Sequence, residues 1–127
     1  MEETARIVKH ATSRSLVLLD EIGRGTSVAD GLAVAAAVCH HLASYSRCRT
    51  LFATHFHQLS SLAGQVQGIS SHHVAVPSLL RDGRLIFSHH IQPGSAEQSH
   101  GLMVARMAGL EENVLNHASN IKQKLEG

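Results

Sequence analysis

Short apolar runs alternate with longer amphipathic stretches along the chain, an order that predicts an α/β fold. Residues 2 to 11 set Ala5, Val8 and Ala11 with Ile7 on one helical face, behind two acids suited to a helix N-terminus. Ser15-Leu16-Val17-Leu18-Leu19 is a continuous apolar run, so it reads as a strand covered on both faces of a parallel sheet and stopping at Asp20-Glu21. Gly23-Arg24-Gly25-Thr26-Ser27 breaks the pattern. Asp30 is then positioned to cap a helix to about Ala43, with Leu32, Ala35, Ala36, Cys39, Leu42 and Ala43 as its stripe. Thr50-Leu51-Phe52-Ala53 is the next strand, so residues 15 to 53 read as β-α-β with a right-handed crossover onto a parallel neighbour.

Downstream, a short helix is expected near His57 to Leu62. His72 to Val76 and Leu85 to His90 read as strands flanking Arg81-Asp82-Gly83-Arg84, whose Asp-Gly pair favours a tight hairpin turn, and Pro77 limits the first of them. Two closing helices follow at 99 to 108 and 111 to 126, with Gly109 in the C-cap position between them. Leu110, Val114, Ala118, Ile121 and Leu125 form the stripe of the second.

Composition narrows the function classes. An apolar fraction of 43% with 17% charged residues is that of a folded chain, and 127 residues suit one modest core. A net charge of +1 gives no field strong enough to grip a phosphate backbone or anionic lipid unaided. No apolar run reaches the ~20 residues of a membrane span, and Met1-Glu2-Glu3-Thr4 begins neither a signal nor a transit peptide. Cys39 and Cys48 form no CxxC pair and read as reduced, mostly buried thiols. The histidine pairs 40/41, 72/73 and 89/90 lack cysteine partners and Glu-x-x-His spacing, which favours scattered surface and core histidines over a zinc site.

Ligands of open α/β sheets collect at the carboxyl ends of the strands, where this sequence puts Asp20-Glu21 and His55. An apolar strand ending in two acids is the Walker B arrangement of phosphate-handling ATPases: the first acid holds Mg²⁺ through water and the second orients or deprotonates the attacking water. An imidazole on the neighbouring strand can hydrogen-bond a terminal phosphate or that water.

The joint string Leu16-Val17-Leu18-Leu19-Asp20-Glu21-Ile22-Gly23-Arg24-Gly25-Thr26-Ser27, followed by Asp30-Gly31-Leu32 and by Thr50-Leu51-Phe52-Ala53-Thr54-His55-Phe56-His57-Gln58-Leu59, resembles the MutS family of DNA mismatch-repair proteins. The resemblance continues through Ser99-His100-Gly101-Leu102 and Ala108-Gly109-Leu110 to the final helix. His40-His41, Cys48-Arg49-Thr50 and Ser99-His100-Gly101-Leu102 look closest to the fungal mitochondrial branch. What this implies is part of a P-loop NTPase domain of the ABC-like kind, with a mostly parallel sheet, a β-hairpin and two C-terminal helices. Residues 1–98 would be the C-terminal portion of the ATPase domain, and residues 99–127 a helical dimerisation element.

By the same resemblance Asp20 matches the magnesium acid, Glu21 the catalytic glutamate and His55 the switch histidine. Gly23, Arg24, Gly25, Thr26 and Ser27 match the loop that crosses the dimer interface beside ATP. The implied cofactors are ATP and Mg²⁺, and the implied partners are a second MutS-type subunit and mismatched double-stranded DNA held by other domains. The implied compartment is mitochondrial or nuclear. A helix-turn-helix reading of the closing helices is less favoured than dimerisation, because the last helix sets Lys122 and Lys124 against Glu111, Glu112 and Glu126.

Departures from the family pattern also shape the expectation. No Gly-x-x-x-x-Gly-Lys-Ser/Thr occurs, and the chain starts just after the family's signature segment. Gln58, His100 and Glu111 stand where an acid, a tyrosine and a proline are common. The chain alone is therefore expected to bind ATP weakly and turn it over negligibly. Two readings follow: a piece of an ATPase whose phosphate loop precedes residue 1, or a non-catalytic dimerisation or interaction module derived from the same fold.

Overall fold

A computed structural model describes residues 1–82, 84–96 and 100–127. They form two compact units, Met1–His73 with Gln92–Ser95, and Val74–Ile91 with Ala96–Gly127.

The first unit opens with α1, Glu2–His10, whose first turn carries Glu2 and Glu3 and whose last turn carries Lys9 and His10, each sign opposing the helix dipole at its own end. The Ser15 N–H donates to the Thr12 carbonyl at 2.9 Å, closing the turn that leads into β1, Leu16–Asp20. Parallel to β1 lies β2, Arg49–Ala53, in the register Leu16↔Arg49 through Asp20↔Ala53. Between them runs α2, Val28–His41, so the β-α-β order of the sequence reading is the order of the structure.

The covering of β1 differs from expectation. Val17 and Leu19 are buried, but Leu16 and Leu18 are 68% and 65% exposed, as is Leu51, the register partner of Leu18, at 68%. Side chains alternate across a strand, and the helical layer that packs on this sheet covers one face. Val17, Leu19 and Leu42 form the core cluster, joined by Ile7 and Ala11 from the α1 side, Val38 from α2 and Phe52 from β2. Burying each of the three central side chains contributes about 1.5–3 kcal/mol.

Ser27, not Asp30, caps α2: its Oγ accepts the Asp30 N–H at 3.1 Å, and Asp30 sits inside the first turn. The helix runs on as a π-helical turn, Leu42–Ser46, and stops at Arg47 in the left-handed region. After β2 come a 3-10 turn, His57–Ser61, and the short α3, Leu62–Gln65, where the sequence suggested one helix.

The hairpin is interrupted rather than continuous. β3, His72–Val74, pairs with β6, Ile91–Pro93, while β4, Ser78–Leu79, pairs antiparallel with β5, Leu85–Ile86. Pro77, which has no N–H to give a ladder, stands between β3 and β4. Gly83 of the expected Asp-Gly turn lies outside the described residues. The mostly parallel sheet thus reduces, among the described residues, to one parallel pair and separate two-stranded ribbons.

In the second unit, α4, Gly101–Met107, and α5, Glu112–Glu126, are joined by a Schellman turn. Gly109 takes φ +89°, its N–H donates to Arg106, and the Leu110 N–H reaches back to Ala105. Ser99, expected to begin α4, lies outside the described residues. Among the described residues of α5 the buried position is Leu115, 3% exposed, whereas Val114, Ile121 and Leu125 of the expected stripe are open to solvent. No helix among the described residues is long and apolar enough to cross a membrane.

Candidate functional site

The parallel register brings the carboxyl ends of β1 and β2 side by side. It extends one residue past β1, where the Glu21 N–H donates to the Ala53 carbonyl at 3.0 Å. Two residues beyond Ala53, His55 Nδ1 hydrogen-bonds Glu21 Oε2. A carboxylate only accepts, so Nδ1–H is the donor, and Nε2 is the ring nitrogen left for another partner. The pair is partly open, with the His55 side chain 54% exposed and that of Glu21 30%.

Backbone geometry sets Glu21 apart from the strand before it. Its φ of +54° is left-handed, a conformation that disfavours residues with a side chain and collects at functional positions. Gly23 and Gly25 also have positive φ, +89° and +87°, so the chain coils tightly away from β1 before Ser27 caps α2. Gly23 must be glycine for a second reason: a Cβ there would stand 2.4 Å from the Gly31 carbonyl oxygen.

Glu21, Gly23, Arg24, Gly25, Thr26, Val28, His55 and Phe56 line an open cavity of about 220 Å³. Of the residues singled out from sequence, Glu21, His55 and Gly23 to Thr26 therefore gather on one cavity, while Ser27, the cap of α2, is not among its lining residues. Asp20 is not among them either. It is exposed and falls by strand alternation on the face of Leu16 and Leu18, opposite Val17 and Leu19. The expectation that both acids and the imidazole face one point is met by Glu21 and His55 alone.

Sequence reasoning missed Phe56. It is buried, and its ring centroid lies 4.3 Å from that of His55 at a 36° tilt. The signal was a large aromatic side chain directly after the histidine at a strand end. The Ser27 cap also had a signal, since Ser27-Val28-Ala29-Asp30 fits the Ser-x-x-Asp start of a helix.

A larger cavity, about 620 Å³, is lined by Ala11, Thr12, Ser13, Tyr45, Ser46 and Arg47. These residues precede β1 and β2, so it lies at the amino ends of the parallel strands and carries neither an acid nor a histidine. Catalytic chemistry has less to work with there than at Glu21 and His55. Among the described residues, no three histidine, cysteine, aspartate or glutamate side chains cluster as a metal site. Cys39 and Cys48 are free, and burial pushes the Cys39 thiol pKa up, away from the range of an activated thiolate.

The family model for MutS domain V matches residues 1–126. The chain is 47% identical over 126 residues to the DNA mismatch repair protein MutS of Synechococcus and 48% identical over 126 residues to that of Trichormus variabilis; each match covers 99% of this chain and 14% of the relative. The MutS of Chloroflexus aurantiacus is 44% identical over 129 residues, covering 100% of this chain and 13% of the relative. The chain thus spans about one seventh of the length of these relatives. A match along nearly all of its residues, at this identity, means that the chain belongs to the MutS domain V family.

Proposed function

We propose that this segment supplies the hydrolytic side of an ATPase site in a DNA mismatch-repair protein. The observation that carries the reading is the Glu21–His55 pair at the carboxyl ends of two parallel strands, on a cavity bordered by the glycine loop. Thr26 and Val28 flank the start of α2 on that cavity, and the N–H groups of a helix N-terminus favour an anion such as phosphate.

Glu21 is assigned to orient or deprotonate the attacking water. His55 is assigned to the terminal phosphate or the same water through Nε2, as acceptor when neutral and donor when protonated. Asp20, at the carboxyl end of β1 beside Glu21 but outside the cavity lining, is assigned to Mg²⁺ through water; Mg²⁺ is held by few carboxylates together with phosphate oxygens and waters, and an exposed hard oxygen donor suits that demand. The ion, when bound, neutralises charge on the phosphates of ATP. Gly23, Arg24, Gly25, Thr26 and Ser27 are assigned to a dimer interface with a second MutS-type subunit, and mismatched DNA to other domains of the full-length protein. A kinship with the fungal mitochondrial branch, and with it a mitochondrial or nuclear compartment, belongs to the same proposal. Fractionation of cells expressing the tagged full-length protein tests it.

The chemical test uses the full-length protein that carries this segment. Glu21→Gln should keep ATP binding and lose steady-state turnover, and unchanged turnover would remove Glu21 from its role. A second reading, a non-catalytic dimerisation module, draws support from the exposed Val114, Ile121 and Leu125 of α5. It would be preferred if the full-length protein dimerised through α5 but showed no ATP turnover dependent on Glu21.

A further inference from the structure

We propose that Phe56 is the positioning residue that fixes the His55 imidazole against Glu21 and ties it to the glycine loop. The inference rests on the ATPase reading above and goes beyond it by naming what holds the histidine. An imidazole more than half exposed, with one hydrogen-bond partner, retains rotamer freedom that a switch or proton-handling role must remove. Phe56 removes it from two directions. Its ring packs on that of His55 at 4.3 Å between centroids, and its N–H donates to Thr54 Oγ1 at 3.0 Å, closing a turn with His55 at its centre.

The tip of the same ring reaches the α2 residue on which the loop rests. Phe56 Cζ lies 3.1 Å from where a Cβ on Gly31 would stand, and Gly31 is the residue that meets Gly23. One buried side chain therefore packs on the histidine and approaches Gly31, the α2 residue that supports the glycine loop, while lining the cavity itself. A displacement of the loop, on nucleotide or partner binding, would reach His55 through this ring.

The test measures single-turnover ATP hydrolysis and the KM for ATP in the full-length protein that carries this segment. The variants are Phe56→Leu, Phe56→Met, Phe56→Tyr, His55→Ala, Glu21→Gln and the double variant Phe56→Leu with His55→Ala. Loss of the flat ring in Phe56→Leu and Phe56→Met should slow hydrolysis roughly ten- to hundredfold with KM changed less than about twofold, and Phe56→Tyr should restore most of the rate. Because Phe56 acts through His55, Phe56→Leu should add less than about twofold once His55 is already alanine.

An equal penalty in both backgrounds, or a higher KM at an unchanged rate, would overturn the inference. Failure of both Phe56→Leu and Phe56→Met to fold would assign Phe56 to the core and overturn it too; if only Phe56→Leu fails, Phe56→Met takes its place in the cycle. Wild-type hydrolysis in both Glu21→Gln and His55→Ala would overturn the ATPase reading and this inference with it. Impaired hydrolysis in those two, with Phe56→Leu at the wild-type rate, would overturn this inference alone.

Discussion

Gly23 and Gly31 meet backbone to backbone, so closely that a Cβ on Gly31 would stand 2.4 Å from the Gly23 carbonyl oxygen. This contact seats the loop after β1 on the first turn of α2. It also explains a glycine inside a helix, where alanine is favoured by about 1 kcal/mol.

Gly31→Ala should therefore destabilise the chain by about 1–3 kcal/mol despite the better helix propensity, because the added methyl displaces backbone rather than a flexible side chain. Gly64→Ala is the control: it lies in α3 with nothing within 4 Å of an added Cβ, and should be neutral or stabilise by up to about 1 kcal/mol. Urea unfolding of the two variants checks this, and equal effects would contradict the packing account.

The second unit gives a prediction about which face of α5 matters. Leu115→Ala should cost about 2–5 kcal/mol of that unit's stability, as expected for truncating a buried leucine. Leu125→Ala, at a position 82% exposed, should change stability by less than about 0.5 kcal/mol. Thermal unfolding distinguishes them, and a reversed order would restore the stripe expected from sequence.

Acid should weaken the α4–α5 corner in a way that one residue reports. Arg106 Nε and Nη2 donate to the Glu112 carboxylate at 2.7 and 3.1 Å, and these hydrogen bonds hold the Glu112 pKa below its ordinary value of 4.5. A carboxyl with a lowered folded pKa binds its proton more readily when unfolded. Its contribution is thus complete above the unfolded value and is lost as pH falls through the folded one. The pair is exposed, so the effect is small and salt-sensitive. Stability measured from pH 7 down through the carboxylate range should fall less steeply in Glu112→Gln than in the parent chain, and parallel curves would exclude the pair as a contributor.

The sequence made the β-α-β core and its chemically loaded end legible. Apolar run, glycine break, amphipathic helix and second apolar run leave few other arrangements, and parallel pairing then brings Glu21 and His55 together. The one-sided covering of β1 within this segment was not legible because Leu16 and Leu18 share a hydropathy with Val17 and Leu19, and only the segment's own packing separates them. That distinction depends on tertiary packing, which no local window contains. Asp20 was grouped with Glu21 because the two are adjacent in sequence, yet strand alternation and the left-handed turn at Glu21 separate them. Leu115 lost out to its neighbour Val114 because a stripe drawn at helical spacing leaves the exact rotation of the helix open by one residue.

The central claim is that Glu21, held by His55, activates the water that attacks ATP. The most direct measurement is single-turnover hydrolysis by the full-length protein that carries this segment, with Glu21→Gln compared with the parent at saturating Mg-ATP. The account predicts that the variant still binds ATP and holds it unhydrolysed, with the chemical step slowed by at least about 100-fold. Hydrolysis of the bound nucleotide at the parent's rate would contradict it.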